Sequence, residues 1–240
     1  TRREWRWRGV IHEYLAAIPP VQFTQLEWPR IVVSHDGARA RDPQTYARDV
    51  PILERALASE TDPFLIARYT FYLAQTYRDC GEKAKAVDAY LRRAGLGHWD
   101  QEVFVSLYQA ARLEEALGHA PEEIIALYLR ASETAPGRAE ALHGASRLCR
   151  AVGRNQEGYE IARRGLALTA PADGLFVEPW IYDHALLDEY SINAYWSGHY
   201  RDCLDACLKL LGSPACPAEH RARFAANASS ALAKLPLGQA

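Results

Sequence analysis

Methionine is absent from this 240-residue chain, and residue 1 is Thr1. Translation starts with Met, so a processed product or a fragment is expected. No run of 18 or more apolar residues occurs, which excludes a helix that spans a membrane. Neither charge dominates. The 28 Lys and Arg face 30 Asp and Glu, a formal charge of -2, so bulk attraction to nucleic acid or anionic lipid is not expected. Cysteine is scarce. Cys80, Cys149, Cys203, Cys207 and Cys216 are odd in number and unevenly spaced, which excludes a disulfide framework and fits a reducing cytoplasm. A content of 49% hydrophobic and 24% charged residues excludes disordered and collagen-like chains.

What is present divides near residue 38. Residues 1–38 are rich in Trp and Arg at the start, carry Pro19 and Pro20, and hold a β-branched run at 31–33. Short strands and loops are expected, with 10–14 and 29–34 the best strand candidates. From residue 39 the period becomes helical. Asp42-Pro43 and Asp62-Pro63 are N-cap signals with Pro at the first helical position. Tyr46, Val50, Leu53 and Leu57 share one helical face, and Pro51 is expected to kink or offset that helix. Residues 64–79 carry apolar residues on two sides, as in a helix sandwiched between neighbours. Residues 82–94 repeat a single stripe of Ala86, Val87, Tyr90, Leu91 and Ala94.

Gly81, Gly118, Gly153 and Gly198 each separate two helical patterns, at spacings of 37, 35 and 45 residues. Such a period signals stacked helical hairpins. Around Gly81 the order Leu73, Ala74, Tyr77, Gly81, Ala86, Tyr90 resembles the tetratricopeptide pattern of small residues, aromatics and turn. Pro136 and Pro171 close the second and third hairpins, and 217–235 reads as a capping helix. The expected fold is therefore all-α: a tetratricopeptide-like α-solenoid over residues 39–240, preceded by a short extended segment.

Four groups of residues are candidates for chemistry. Cys203, Cys207, Cys216 and His220 could share a zinc ion, but Cys203 and Cys207 fall where the repeat wants small buried residues, and that role is the better fit. Residues 175–190 read as a helix in which Glu178, Asp183, His184, Asp188 and Glu189 form either an acid/base cluster or a solvated acidic face, the latter favoured. Arg147, Arg150 and Arg154 share a helical face, to grip an anion or pair with neighbouring Glu. His12 and Glu13 follow the strand-like run and could bind a metal, move a proton, or simply end a strand.

Longer strings extend the last point. Gly9-Val10-Ile11-His12-Glu13, His35-Asp36-Gly37, Arg48-Asp49, Leu53-Glu54, Arg68 to Gln75, Gly97 to Phe104 and Leu175 to Glu178 together resemble the C-terminal part of a bacterial family 2 glycosyltransferase with appended tetratricopeptide repeats. The resemblance implies that residues 1–38 are the end of a catalytic domain, with His12 near a metal and diphosphate and Glu13 on the acceptor side. It implies a nucleotide-sugar donor and a divalent metal (Mg or Mn) in the parent enzyme. It also implies repeats that bind a protein, peptide or glycan acceptor, or that self-associate. Groove candidates on first helices are Arg68, Tyr72, Gln75, Trp99, Glu102 and Tyr108. The metal-binding Asp-x-Asp pair of that family is missing, so this chain alone is expected to be catalytically incomplete. The alternative is a non-enzymatic scaffold that binds a peptide.

Overall fold

The structure is a computed structural model that describes residues 4–18, 21, 42 and 44–236. The chain divides into two compact units, Thr1–His98 and Trp99–Ala240. The boundary expected at 38/39, Pro43 and the strand expected at 29–34 lie outside the described residues.

The first unit opens with a β-hairpin. Strand β1 (Glu4–Arg8) pairs antiparallel with β2 (Tyr14–Ile18), Trp7 opposite Leu15 and Arg8 opposite Tyr14. The strand expected at 10–14 is instead mostly the connecting turn, because Gly9 and His12 both take positive φ and turn the chain back. Helix α1 (Thr45–Ser59) follows, and Pro51 lies on its exposed side without ending it. Thr45, Asp49 and Leu53 form its buried stripe, so Tyr46 faces outward rather than sharing the face of Leu53. Helices α2 (Pro63–Asp79) and α3 (Lys83–Gly95) make a hairpin. Asp62 caps α2 by accepting the Phe64 N–H at 3.0 Å, and Pro63 supplies the preset first φ.

The second unit stacks hairpins α4 (Asp100–Leu117) with α5 (Pro121–Thr134), α6 (Glu140–Ala151) with α7 (Asn155–Gly165), and α8 (Leu186–Trp196) with α9 (Tyr200–Gly212). A short 3₁₀ turn, Ala218–His220, leads into α10 (Arg221–Leu232), the terminal helix. Gly81, Gly118, Gly153 and Gly198 sit at the four turns with φ between 78° and 87°, a region open to glycine at little cost. Tyr159, Ile181, Leu186, Tyr190, Cys203 and Cys207 belong to one continuous core.

The third and fourth hairpins are joined by a long loop that accounts for the 45-residue spacing. Residues 175–178 are not helical, contrary to expectation. Pro179 disfavours helical φ/ψ at Glu178 before it, so helical structure starts only at Pro179 and runs at once into a wide π turn, Ile181–Ala185.

The Tyr128 ring of α5 packs against Gly144 of α6, where a Cβ would stand 2.6 Å from the ring. Gly144→Ala is expected to destabilise by about 1–3 kcal/mol through this overlap. Gly153→Ala meets nothing within 4 Å and should cost only the left-handed strain, about 1–2 kcal/mol. Denaturant melts of the two variants check the difference, and only Gly144→Ala should alter near-UV circular dichroism from Tyr128.

Candidate functional site

On α4, Tyr108, Arg112 and Glu115 fall at i, i+4 and i+7. On α6, His143, Arg147 and Arg150 do the same. These are neighbouring first helices of successive hairpins, so the two rows face the same side. Between them lies a cavity of about 420 Å³, lined also by Tyr128, Gly144, Glu178 and Trp180.

Charge pairs join the first helices across this side. The Arg147 Nη2 donates to both oxygens of Glu115 at 2.6 and 2.5 Å. Arg150 grips Glu189 of α8 through Nε and Nη2 at 2.6 and 3.0 Å. Arg223 of α10 grips Asp188 of α8 at 2.8 and 2.7 Å. The acidic residues of 175–190 are thus mostly paired rather than solvated: Asp188 and Glu189 bind arginines, Glu178 does so as described next, and Asp183 alone of the four carboxylates is exposed. Arg154 pairs with Glu157 at 2.6 Å, as its position allows.

The loop before the π turn forms one wall of the cavity. The Glu178 carboxylate accepts from Tyr108 Oη and Arg112 Nη1, each at 3.2 Å. Trp180 stands edge-on to the His143 ring, centroids 5.3 Å apart, and remains 45% exposed. Beneath this loop is a buried ion pair. Arg138 donates to Glu140 through Nε and Nη2 at 3.1 and 2.6 Å, and through Nη1 to Gln101 Oε1 and the Leu175 carbonyl, both at 2.8 Å. Its guanidinium lies over the Phe104 ring. Glu140 in turn accepts from Tyr182 Oη at 2.7 Å and from the Glu178 N–H at 3.3 Å. Burial pushes the Glu140 carboxyl up, but the Arg138 fork and the Tyr182 hydroxyl prevail and hold it below the usual range. Tyr108 and Tyr128 are pushed up, chiefly by burial, so both hydroxyls keep their protons and serve as donors to Glu178 and Glu115.

In the first unit the structure brings together His12, Arg68 and Tyr72. The His12 ring stacks on Tyr72 at 4.3 Å, and Arg68 Nη2 donates to the His12 carbonyl at 2.7 Å. The Arg68 guanidinium lies over both the Tyr14 and Tyr72 rings. Arg8 pairs with Asp62 at 2.6 Å, and the guanidinium holds that carboxyl below its usual range. The hairpin is thereby fastened to the start of α2. Glu13 is exposed. Gln75 is half-buried, and its amide nitrogen has no hydrogen-bond partner among the described residues. The setting of His12 does not suit a hard divalent cation, which wants several carboxylate or carbonyl oxygens: the His12 carbonyl is taken by the Arg68 guanidinium, which also places a positive charge there. Among the described residues no group of three or more His, Cys, Asp and Glu could hold a metal ion. Cys203 and Cys207 are buried in the core. The Cys203 thiol is pushed up by its hydrogen bond to Cys207 and then by burial, so it stays protonated.

Of the other groove candidates, Trp99 is half-exposed just before α4, Glu102 is buried on its first turn, and Tyr108 lines the cavity. Arg112, Tyr128, His143 and Trp180 escape a reading made residue by residue. The usable signal is the repeat register: Tyr108 with His143, and Arg112 with Arg147, are each 35 residues apart, the same step as Gly118 to Gly153.

No protein-family model matches the chain, and no curated protein matches it. Solved helical-repeat structures do. The TPR-like repeats of a Podosopora anserina protein described as a kinesin light chain show 16% identity, cover 82% of this chain and 92% of their own, and superpose with a TM-score of 0.50. A variant of the same repeats shows 18% identity, 71% and 88% coverage, and a TM-score of 0.50. The fold is tetratricopeptide-like. Among the described residues no helix is long and apolar enough to cross a membrane.

The His143 ring is held neutral, pushed down to about 4 by burial and secondarily by Arg147. A depressed pKa stabilises the fold above the unfolded value near 6.5, and that stability drains away as pH falls toward 4. Between pH 7 and pH 5 the wild type should lose on the order of 2 kcal/mol of unfolding free energy through this group. His143→Gln should flatten that segment of the profile, and urea melts across the range check it.

Proposed function

We propose that this chain is a protein-interaction module whose second unit binds an extended segment of a partner protein. The observation that carries this reading is the polar, aromatic cavity between first helices, with Trp180 half-exposed at its wall and Arg112 exposed beside it. Aromatic and Arg side chains in such positions are the ones that dominate binding energy at interfaces. The tetratricopeptide-like fold supports a binding role over a chemical one, since helical repeats present surfaces rather than reactive groups. A reducing, cytoplasmic setting is proposed on the sparse, uneven cysteines.

A second reading places the module in a sugar-transferring parent enzyme. It is favoured by one observation: His12, in the string that resembles family 2 glycosyltransferases, is held at φ 53° by Arg68 and Tyr72. Strain held in place by neighbours marks functional positions more often than chance. On this reading a nucleotide-sugar donor and its Mg or Mn would be held elsewhere in the parent, and the repeats would present a protein or glycan acceptor or self-associate. Transfer of sugar from a nucleotide-sugar donor by the natural gene product, lost in His12→Ala, is the outcome expected; a product of that gene with no transfer to any acceptor contradicts it.

For the module itself, a synthetic peptide array probed with wild type and with Trp180→Ala is the test. Sequence-selective binding weakened at least tenfold by Trp180→Ala, a change of about 1.4 kcal/mol, is expected. Selective binding that Trp180→Ala leaves intact contradicts this location for the site.

A further inference from the structure

We propose that Glu178 is an internal stand-in for the ligand: the partner segment carries an acidic side chain whose carboxylate takes the place of the Glu178 carboxylate on Arg112 and Tyr108. This rests on the peptide-binding reading above.

Of the four carboxylates paired on this side of the second unit, Glu178 is the loosely held one. Glu115, Asp188 and Glu189 are bound at 2.5–3.0 Å, each through two contacts with an arginine. Glu178 meets Arg112 once, at 3.2 Å, and the Arg112 side chain is 49% exposed. A single long contact to an exposed guanidinium contributes little. The backbone of Glu178 is a different matter: its N–H is tied to buried Glu140, and the neighbouring Leu175 carbonyl to Arg138. The Glu178 side chain can therefore leave while the loop stays.

What it leaves behind is a site built for a carboxylate. The Tyr108 hydroxyl is buried, protonated and in need of an acceptor. Arg112 offers a planar fork suited to two-point contact with a carboxylate, of which Glu178 uses one arm. Within the cavity Arg112 and Arg147 are matched by Glu115 and Glu178. Removing the Glu178 charge leaves one uncompensated positive charge, which a ligand carboxylate restores. A ligand with a basic side chain would find no such vacancy. Trp180, adjoining the loop, offers its exposed edge to the apolar part of the same segment.

A competing internal group lowers apparent affinity by the fraction of molecules in which it occupies the site. Glu178→Ala and Glu178→Gln should therefore bind more tightly, by about three- to fivefold, a direction that a merely structural role would not produce. The experiment is calorimetric titration at low ionic strength of wild type, both Glu178 variants and Arg112→Gln, each first checked for an unchanged thermal midpoint. The probes are an end-blocked hexaglutamate, an end-blocked hexalysine and a hexa-alanine with a free C-terminal carboxylate. Tighter hexaglutamate binding by both Glu178 variants, with loss in Arg112→Gln, is expected. Unchanged or weaker hexaglutamate binding by the Glu178 variants overturns the exchange. Preference for hexalysine overturns the acidic class, and preference for the free carboxylate overturns the side-chain source. If no probe binds any protein, this proposal fails; the array above then decides separately whether the peptide-binding reading fails with it.

Discussion

The second unit depends on one buried ion pair. Arg138 and Glu140 are almost fully removed from water, with side-chain exposures of 3% and 0%. Such a pair is not a strong source of net stability, because desolvation of both ions offsets their attraction. Its effect is positional. The Arg138 fork reaches α4 through Gln101 and the long loop through the Leu175 carbonyl, while Glu140 takes the Tyr182 hydroxyl and the Glu178 N–H. All three guanidinium nitrogens and both carboxylate oxygens of the pair are engaged, so the loop has one place to lie. Loss of either partner would strand a buried charge, at about 3–5 kcal/mol.

From that fixed loop the site follows. The loop contributes Glu178, the helical start just after it contributes Trp180, and the regular hairpins contribute the two rows on α4 and α6. Pairing of Arg147 with Glu115, Arg150 with Glu189 and Arg223 with Asp188 links the first helices in sequence. The second helices bury aromatic and small residues behind them, as where Tyr128 rests on Gly144. Specific polar groups thus face one side of the unit, and bulk packing is done on the other.

How much of this was legible in the sequence differs by level. The four turn glycines, the Asp62-Pro63 start and the closing helix are local signals, and each stands where its chemistry requires. The long spacing before Gly198 marked an insertion without revealing its shape. Residues 175–190 carry helical periodicity, yet 175–178 are held in a loop by tertiary bonds to Arg138 and Glu140 that no local pattern encodes. The charged residues were visible as stripes, but whether a stripe is solvated or paired depends on partners 32 to 39 residues away. In the sequence Arg68 and Tyr72 read as groove residues and His12 as a catalytic one. They prove to be one cluster, because hairpin and α2 contact each other through the turn.

Amide hydrogen exchange of the intact protein, read at single residues, tests the pinned loop most directly. The Leu175 N–H is bonded to Gln101 and the Glu178 N–H to Glu140, both groups within the Arg138 assembly. The account predicts that these two amides exchange slowly, with protection close to that of the α6 helix. Exchange of both at the rate of an unstructured loop, while α6 stays protected, would contradict it.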